Sequence, residues 1–274
     1  MTLNCRGTLI DITTPKVMGI LNITPNSFYD GGVYANELAI LNRAEELLLE
    51  GATFIDLGAY SSKPNAEFVS EEEELHRIVP IVKAIVKHFP EALLSIDTFR
   101  SQVAERCLEL GAALINDIAA GMLDEQMLPT VAKWQVPYIM MHMRGTPNTM
   151  QQNVDYDNLV KDILFYFSQR IALAKSFGIN DIVIDPGFGF AKTTAQNFEL
   201  LEKMELLKNI ELPILVGLSR KSMIYKTLET TPAEALNGTT FLHAFALQKG
   251  ANILRVHDVK EAIECITLFQ NVQP

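Results

Sequence analysis

The chain has little cysteine, and that narrows its class first. Only Cys5, Cys107 and Cys265 occur in 274 residues. Their odd number and wide spacing fit neither a disulfide framework nor a metal-ligand set, so a reducing compartment is expected. No stretch approaches the roughly 18 apolar residues of a membrane span. Met1 to Pro15 alternates polar and apolar residues, unlike the apolar stretch of a signal peptide. A cytoplasmic protein is the expectation. Positive charge is scarce as well, with 23 Lys and Arg against 33 Asp and Glu and a formal net charge of −10. This argues against nucleic acid or an anionic membrane as the main partner, although basic residues converging locally still bind anions. Low-complexity linkers and shifts of composition are absent, so residues 1–274 are read as one domain.

A repeat of short apolar runs is what the chain does contain. They lie at Val17–Ile23, Thr53–Leu57, Ala92–Ile96, Ala112–Ile115, Pro137–Met141, Asp181–Ile184, Pro213–Val216 and Ala251–Val256. Near-continuous hydrophobicity suits parallel strands buried on both faces. Helical patterns follow several of them, at Glu37–Glu50, Ser70–His88, Arg100–Leu110, Asp155–Phe177 and Ala195–Lys208. Ser70 followed by Glu73 has the spacing of a capping box. Eight strands alternating with helices predict an α/β (β/α)8 TIM barrel, with an open doubly wound sheet as the competing topology. Against the open sheet, the first run is followed by Asn22-Ile23-Thr24-Pro25 rather than a G-x-G-x-x-G turn. Residues up to Ile12 are expected to form a hairpin at the barrel bottom.

Polar residues stand at or just past the ends of these runs: Asn22, Asp56, Asp97, Asn116, His142, Asp185, Ser219 and Arg255–His257. One Asp after one strand is more often a helix cap. Eight such endings in succession predict a pocket at the barrel mouth, where active sites of this fold lie. Asp97, Asp185 and Asn116 are suited to reading the donor and acceptor edge of a heterocycle. Lys63, Arg220, Lys221, Arg255 and His257 are candidates for the local positive charge that a pyrophosphate needs. The run Asp185-Pro-Gly-Phe-Gly-Phe-Ala-Lys192 is glycine-rich but is not a phosphate loop, because Ala191 replaces the second glycine. It reads better as a pocket wall with Phe188 or Phe190 facing the ligand, or as a tight turn with core phenylalanines. His76, His88 and His243 read as surface or packing residues, and Trp134 as the end of a packing helix.

Met18-Gly-Ile-Leu-Asn-Ile-Thr-Pro-Asn-Ser-Phe-Tyr-Asp-Gly-Gly32 resembles the first signature of the dihydropteroate synthases. Ser95-Ile-Asp-Thr98, Ile115-Asn-Asp-Ile118, Met141-His142, Asp185–Phe190, Ser219-Arg-Lys-Ser222 and Arg255-Val-His257 resemble later motifs of that family in order. The likeness implies a transferase of folate synthesis, usually dimeric. It would join 6-hydroxymethyl-7,8-dihydropterin diphosphate to p-aminobenzoate, giving 7,8-dihydropteroate and pyrophosphate. It also implies a target of sulfonamides, which mimic p-aminobenzoate.

By motif position, Asp97, Asn116, Met141, Asp185, Phe190 and Lys221 would hold the pterin. Phe28, Ser62, Lys63, Pro64, Phe190, Ser219 and Ser222 would receive p-aminobenzoate. Asn22, Ser62, Lys63, Arg255 and His257 would take the pyrophosphate, and Asn22 would bind Mg²⁺ with it. Asp30, Asp97, Asp185 and Lys221 would act in catalysis, with no protein nucleophile required.

The chain departs from the usual pattern at Asn26, Asn65 and Ala191, and in Ser61-Ser62-Lys63-Pro64, where Lys63 stands in place of arginine. Two other readings remain: a pterin-binding barrel transferring methyl groups to a corrinoid protein, and a non-catalytic pterin binder.

Overall fold

The apolar runs form strands because each is short, β-branched or aliphatic, and closed by a polar residue or glycine. The computed structural model describes residues 1–23, 32–60 and 69–272, with the side chains of 32–36 excepted. Eight strands among them are parallel: β3 (Lys16–Asn22), β4 (Phe54–Gly58), β5 (Leu93–Asp97), β6 (Leu114–Asp117), β7 (Tyr138–Met141), β8 (Ile182–Asp185), β9 (Leu215–Val216) and β10 (Ile253–Val256). They pair in the order β8-β7-β6-β5-β4-β3-β10-β9. A parallel bridge from Ile184 to Ile214 joins the two ends. The result is the (β/α)8 barrel that the sequence predicts.

Side-chain alternation then sorts each strand into two faces. Outward residues such as Val17, Ile55, Leu57, Leu94, Ile96, Ile115, Ile184 and Val256 pack in the large cluster shared with the helices. Inward residues Met18, Phe54, Leu114, Ile139, Val183, Leu215 and Ile253 fill the lower barrel. The next inward positions, two residues later, change character to Asp56, Ser95, Asn116, Asp185 and Arg255. An apolar layer thus supports a polar one at the C-terminal end of the barrel.

The predicted hairpin is present, with β1 (Thr2–Cys5) antiparallel to β2 (Thr8–Asp11). Leu3, Cys5 and Ile12 join the lower apolar layer and close the barrel bottom. Asn252 Nδ2 donates to Ile12 O at 3.3 Å, tying the hairpin's exit to the last βα unit.

Some helix limits differ from the sequence expectation for local reasons. The helix expected from Asp155 begins at Leu159, because Asn158 caps it by accepting from Lys161 N at 3.1 Å. The expected Ala195–Lys208 helix is an α-helix over Thr194–Glu202 followed by a 3₁₀ segment, Met204–Ile210. The tighter turn keeps Met204 and Leu207, three residues apart, on the buried face. At Ser70 the hydroxyl accepts from Glu73 N, whereas the Glu73 carboxylate pairs with Arg77, so only half of that capping box forms. A reciprocal box closes the Thr193–Gln196 turn instead. Trp134 ends the Met127–Trp134 helix, as expected. No described helix is long and apolar enough to cross a membrane.

His243, on the Leu236–Gln248 helix, is fully packed, and its Nε2 is buried with no hydrogen-bond partner. Burial lowers its pKa to about 4, with only partial opposition from Asp258. Its neutral form therefore supports the fold fully above the unfolded value of about 6.5, and that support is lost as pH falls toward 4. Between pH 7 and pH 5 the loss is about 2 kcal/mol. His243→Leu is expected to flatten the fall in denaturation midpoint over that range. An unchanged slope in the folded variant would refute this assignment.

Candidate active site

The polar layer converges at the mouth of the barrel. Arg255, on β10, crosses the opening and pairs with two carboxylates on other strands. Its Nε is 2.6 Å from Asp56 Oδ2 and its Nη2 is 2.6 Å from Asp97 Oδ2. Asn116 Nδ2 donates to the same Asp56 oxygen at 3.1 Å. One N–H of the Asn116 amide is committed to the protein, so this side chain offers a ligand its amide oxygen and its second N–H.

Asp56 is completely buried, and its Oδ1 has no hydrogen-bond partner. Burial would lower the Arg255 pKa, but Asp56 and Asp97 together hold it above the ordinary value. Burial pushes Asp97 up to about 7 against the pull of Arg255.

Asp185 faces Lys221 from β8. Burial raises the Asp185 pKa, and Lys221 opposes that rise. Burial lowers Lys221 to about 8, and Asp185 works in the other direction. The Lys221 side chain lies across two glycines. A Cβ on Gly189 would come within 3.3 Å of Lys221 Cδ, and one on Gly217 within 3.8 Å of its Nζ. Lys221 Nζ donates to Phe188 O and sits 4.8 Å from the centroid of the Phe190 ring.

Of the two phenylalanines considered for the pocket, Phe188 is core and Phe190 is half-buried beside Lys221. Met141 is buried with Ile118, Met143 and Ala191, and Phe190 packs against that cluster. Ala191 holds a left-handed backbone at φ 49°, a conformation that favours the glycine usual at this position of the motif.

Ser219 Oγ lies 3.0 Å from His257 Nδ1 and accepts from His257 N at 3.2 Å. This joins the ends of the last two βα units. Arg43, on the Gly32–Leu49 helix, donates to His257 O at 2.9 Å. Ser222 begins the short Ser222–Thr227 helix, with Lys221 as its N-cap. Asn22 stands exposed at the end of β3.

Two candidates from the sequence are not at the mouth. His142 follows the inward-facing Met141, so alternation turns it outward. It is buried at 4.8 Å centroid distance from Tyr166, and burial holds its pKa well below the ordinary value. Arg220 is engaged elsewhere, with Nε 2.8 Å and Nη2 2.9 Å from the Asp258 carboxylate. Phe28, Asp30, Ser62, Lys63 and Pro64 lie outside the described residues, as do Asn26 and Asn65. Sequence reasoning placed Asp56 at a strand end without giving it a role. Its signal was the inward parity that it shares with Asn116 and Asp185.

The profile of the pterin binding enzyme family matches residues 18–257. Dihydropteroate synthase of Escherichia coli K12 is 40% identical over 98% of this chain and 96% of its own length. The crystal structure of Yersinia pestis dihydropteroate synthase with a sulfonamide drug superposes with a TM-score of 0.92 at 41% identity, covering 100% of this chain and 99% of that one. The Xanthomonas albilineans enzyme in complex with 7,8-dihydropteroate gives 0.88 at 36% identity, covering 100% and 99%. With its polar residues converging at the mouth of a barrel of this kind, the chain belongs to the dihydropteroate synthase family of pterin-binding enzymes.

Proposed function

We propose that this chain condenses 6-hydroxymethyl-7,8-dihydropterin diphosphate with p-aminobenzoate to give 7,8-dihydropteroate and pyrophosphate. The observation that carries the reading is the convergence of Asp97, Asn116, Asp185, Lys221 and Arg255 at one barrel mouth. A flat heterocycle with several N–H donors and ring acceptors needs such opposed partners, and an analogue lacking them leaves buried groups unpaired. Asp97, the Asn116 oxygen and Asp185 accept from the pterin, Lys221 donates to it, and Met141 and Phe190 supply apolar walls. Asp97 and Asp185, with Asp30, favour the positive charge that develops on the pterin methylene as its bond to the diphosphate oxygen breaks. The electron pair leaves with pyrophosphate, toward Asn22, Ser62, Lys63, Arg255 and His257. The amine of p-aminobenzoate then forms the new C–N bond and releases its proton to solvent. Ser219 and Ser222, with Phe28, Ser62, Lys63, Pro64 and Phe190, receive p-aminobenzoate. No cysteine is needed, and all three are buried and free, in keeping with a reduced, cytoplasmic setting.

The described residues include no group of three His, Cys, Asp or Glu that could hold a metal. Asn22 offers one exposed amide oxygen at the mouth. That donor set suits Mg²⁺ arriving with the diphosphate, since this ion keeps several waters and substrate oxygens. Bound there, the ion would neutralise charge on the leaving group.

Residues 1–274 serve as one pterin-binding domain in this reading, and two copies form a homodimer. An exposed apolar face supports the dimer. Phe241 on the Leu236–Gln248 helix and Leu268 and Val272 on the Val259–Val272 helix are each more than two-thirds exposed, beside Phe245 and Phe269. Patches of this kind mark contact surfaces. Sedimentation at micromolar concentration should report a dimer that Phe241→Lys dissociates; a monomer in the unsubstituted protein would contradict it.

Lys63 keeps positive charge but lacks the planar fork of arginine. Lys63→Arg is expected to change the KM for p-aminobenzoate or the inhibition constant of pyrophosphate by about twofold or more. Steady-state kinetics identical to those of the unsubstituted protein would remove Lys63 from the site. Methyl transfer to a corrinoid protein finds no support among the relatives described, which are dihydropteroate synthases across nearly their whole length. Chromatographic detection of 7,8-dihydropteroate after incubation with both substrates and Mg²⁺ tests the reading. Hydrolysis of the diphosphate without incorporation of p-aminobenzoate would contradict it.

A further inference from the structure

Lys192 ends the glycine-rich segment, and the reaction just described gives it no role. It is 3% exposed, and its Nζ lies 3.0 Å from His142 Nδ1, 3.0 Å from Gly187 O and 3.0 Å from Phe190 O. An ammonium carries three N–H donors and no acceptor. The three neighbours match those donors one for one when His142 is neutral with its proton on Nε2. Burial in an aromatic surround favours that neutral ring, which packs against Tyr166 and Tyr156. Burial also lowers Lys192 to about 7, and Asp185 opposes this. All three N–H donors of the ammonium meet an acceptor there.

These contacts reach both ends of one short turn. Gly187 N donates to Asp185 Oδ1 at 2.7 Å, and His142 N donates to Asp185 O at 2.9 Å. Lys221 takes the intervening Phe188 carbonyl from the mouth side. The Gly187, Phe188 and Phe190 carbonyls are therefore divided between two lysines. Lys221 faces the mouth, and Lys192 is buried behind the turn.

We propose that Lys192 is a positioning residue for pterin binding: its ammonium, seated on His142 and on the Gly187 and Phe190 carbonyls, fixes the turn that presents Asp185 and Phe190. This deepens the reading given above and rests on it. Burial raises the Asp185 pKa against Lys221, the Gly187 N–H, Arg255 and, as the smallest contribution, Lys192, while Lys192 faces Asp185, Lys221, Arg144 and the neutral His142. Removing the Lys192 charge makes Asp185 easier to protonate, so the acid limb of pterin binding moves to higher pH.

The test is calorimetric titration with 6-hydroxymethyl-7,8-dihydropterin, the substrate without its diphosphate, across pH. Three folded variants separate the contributions. Lys192→Met, which removes both charge and donors, should weaken binding at least about tenfold and shift the acid limb upward. Lys192→Gln, which keeps two donors without charge, should weaken binding less and give the same upward shift. His142→Leu keeps the charge and loses one acceptor, so it should weaken binding with the acid limb in place. The KM for p-aminobenzoate should rise less than the pterin dissociation constant in each, because Phe190 is the one residue of this turn that the second substrate shares. Unchanged pterin affinity and acid limb in any folded Lys192 variant would overturn the proposal. So would an equal rise in the constants of both substrates, which marks a general structural role. An unsubstituted protein that does not bind the dihydropterin would remove the functional reading itself and the proposal with it.

Discussion

Replacing Gly187 with alanine is expected to cost about 3 kcal/mol or more of stability and to abolish pterin binding. Gly187 has φ 70°, and a Cβ there would lie 2.1 Å from the backbone oxygen of His142. Backbone cannot swing aside as a side chain can, so β7 and the turn after β8 would have to separate. That movement carries Asp185 and Phe190 with it. Gly178 provides the control. Its φ is 87°, but a Cβ would meet nothing within 4 Å, so Gly178→Ala should show only the conformational part, about 1 kcal/mol. Denaturant unfolding of the two variants separates steric clash from backbone strain. Equal losses in the two would show that the close approach at His142 is not what requires glycine.

The second large effect is at Arg255. Asp56 is completely buried, and the Asp97 side chain is 18% exposed; both use this one guanidinium. Truncation in Arg255→Met leaves both carboxylates without their partner, and loss of one member of a buried ion pair costs about 3–5 kcal/mol. Activity should fall at least about a hundredfold, because the same group faces the leaving diphosphate. Arg255→Lys keeps the charge, but one ammonium does not span the two carboxylates as a fork does. It should be intermediate in both stability and kcat/KM. A folded Arg255→Met protein with near-normal kcat/KM would show that Asp56–Arg255–Asp97 is scaffold rather than site.

The barrel was legible because parallel strands buried on both faces are written as short continuous apolar runs, and eight of them occur along the chain. Local chemistry moved the limits. Asn158 shortened one helix from its start, and the spacing of Met204 and Leu207 turned the end of another into 3₁₀ geometry. The polar ring at the mouth was legible as a list of strand endings, but the facing of each residue was not. Met141 and His142 are neighbours in sequence, and one residue of phase puts one toward the pocket and the other into the outer aromatic layer. The Arg255–Asp56 pair joins residues 199 positions apart, and only barrel closure brings them together. Lys192 was hidden for a further reason. A lysine after a glycine-rich turn reads as solvated or phosphate-binding, whereas its buried position depends on carbonyls that a local sequence pattern does not reveal.

The central claim is most directly tested by pyrophosphate release from the purified protein with dihydropterin diphosphate, p-aminobenzoate and Mg²⁺, each omitted in turn. Release that needs all three, with one 7,8-dihydropteroate formed per pyrophosphate, is the predicted result. Pterin binding without release in the complete mixture would contradict it and leave a pterin-binding barrel that does not catalyse the condensation.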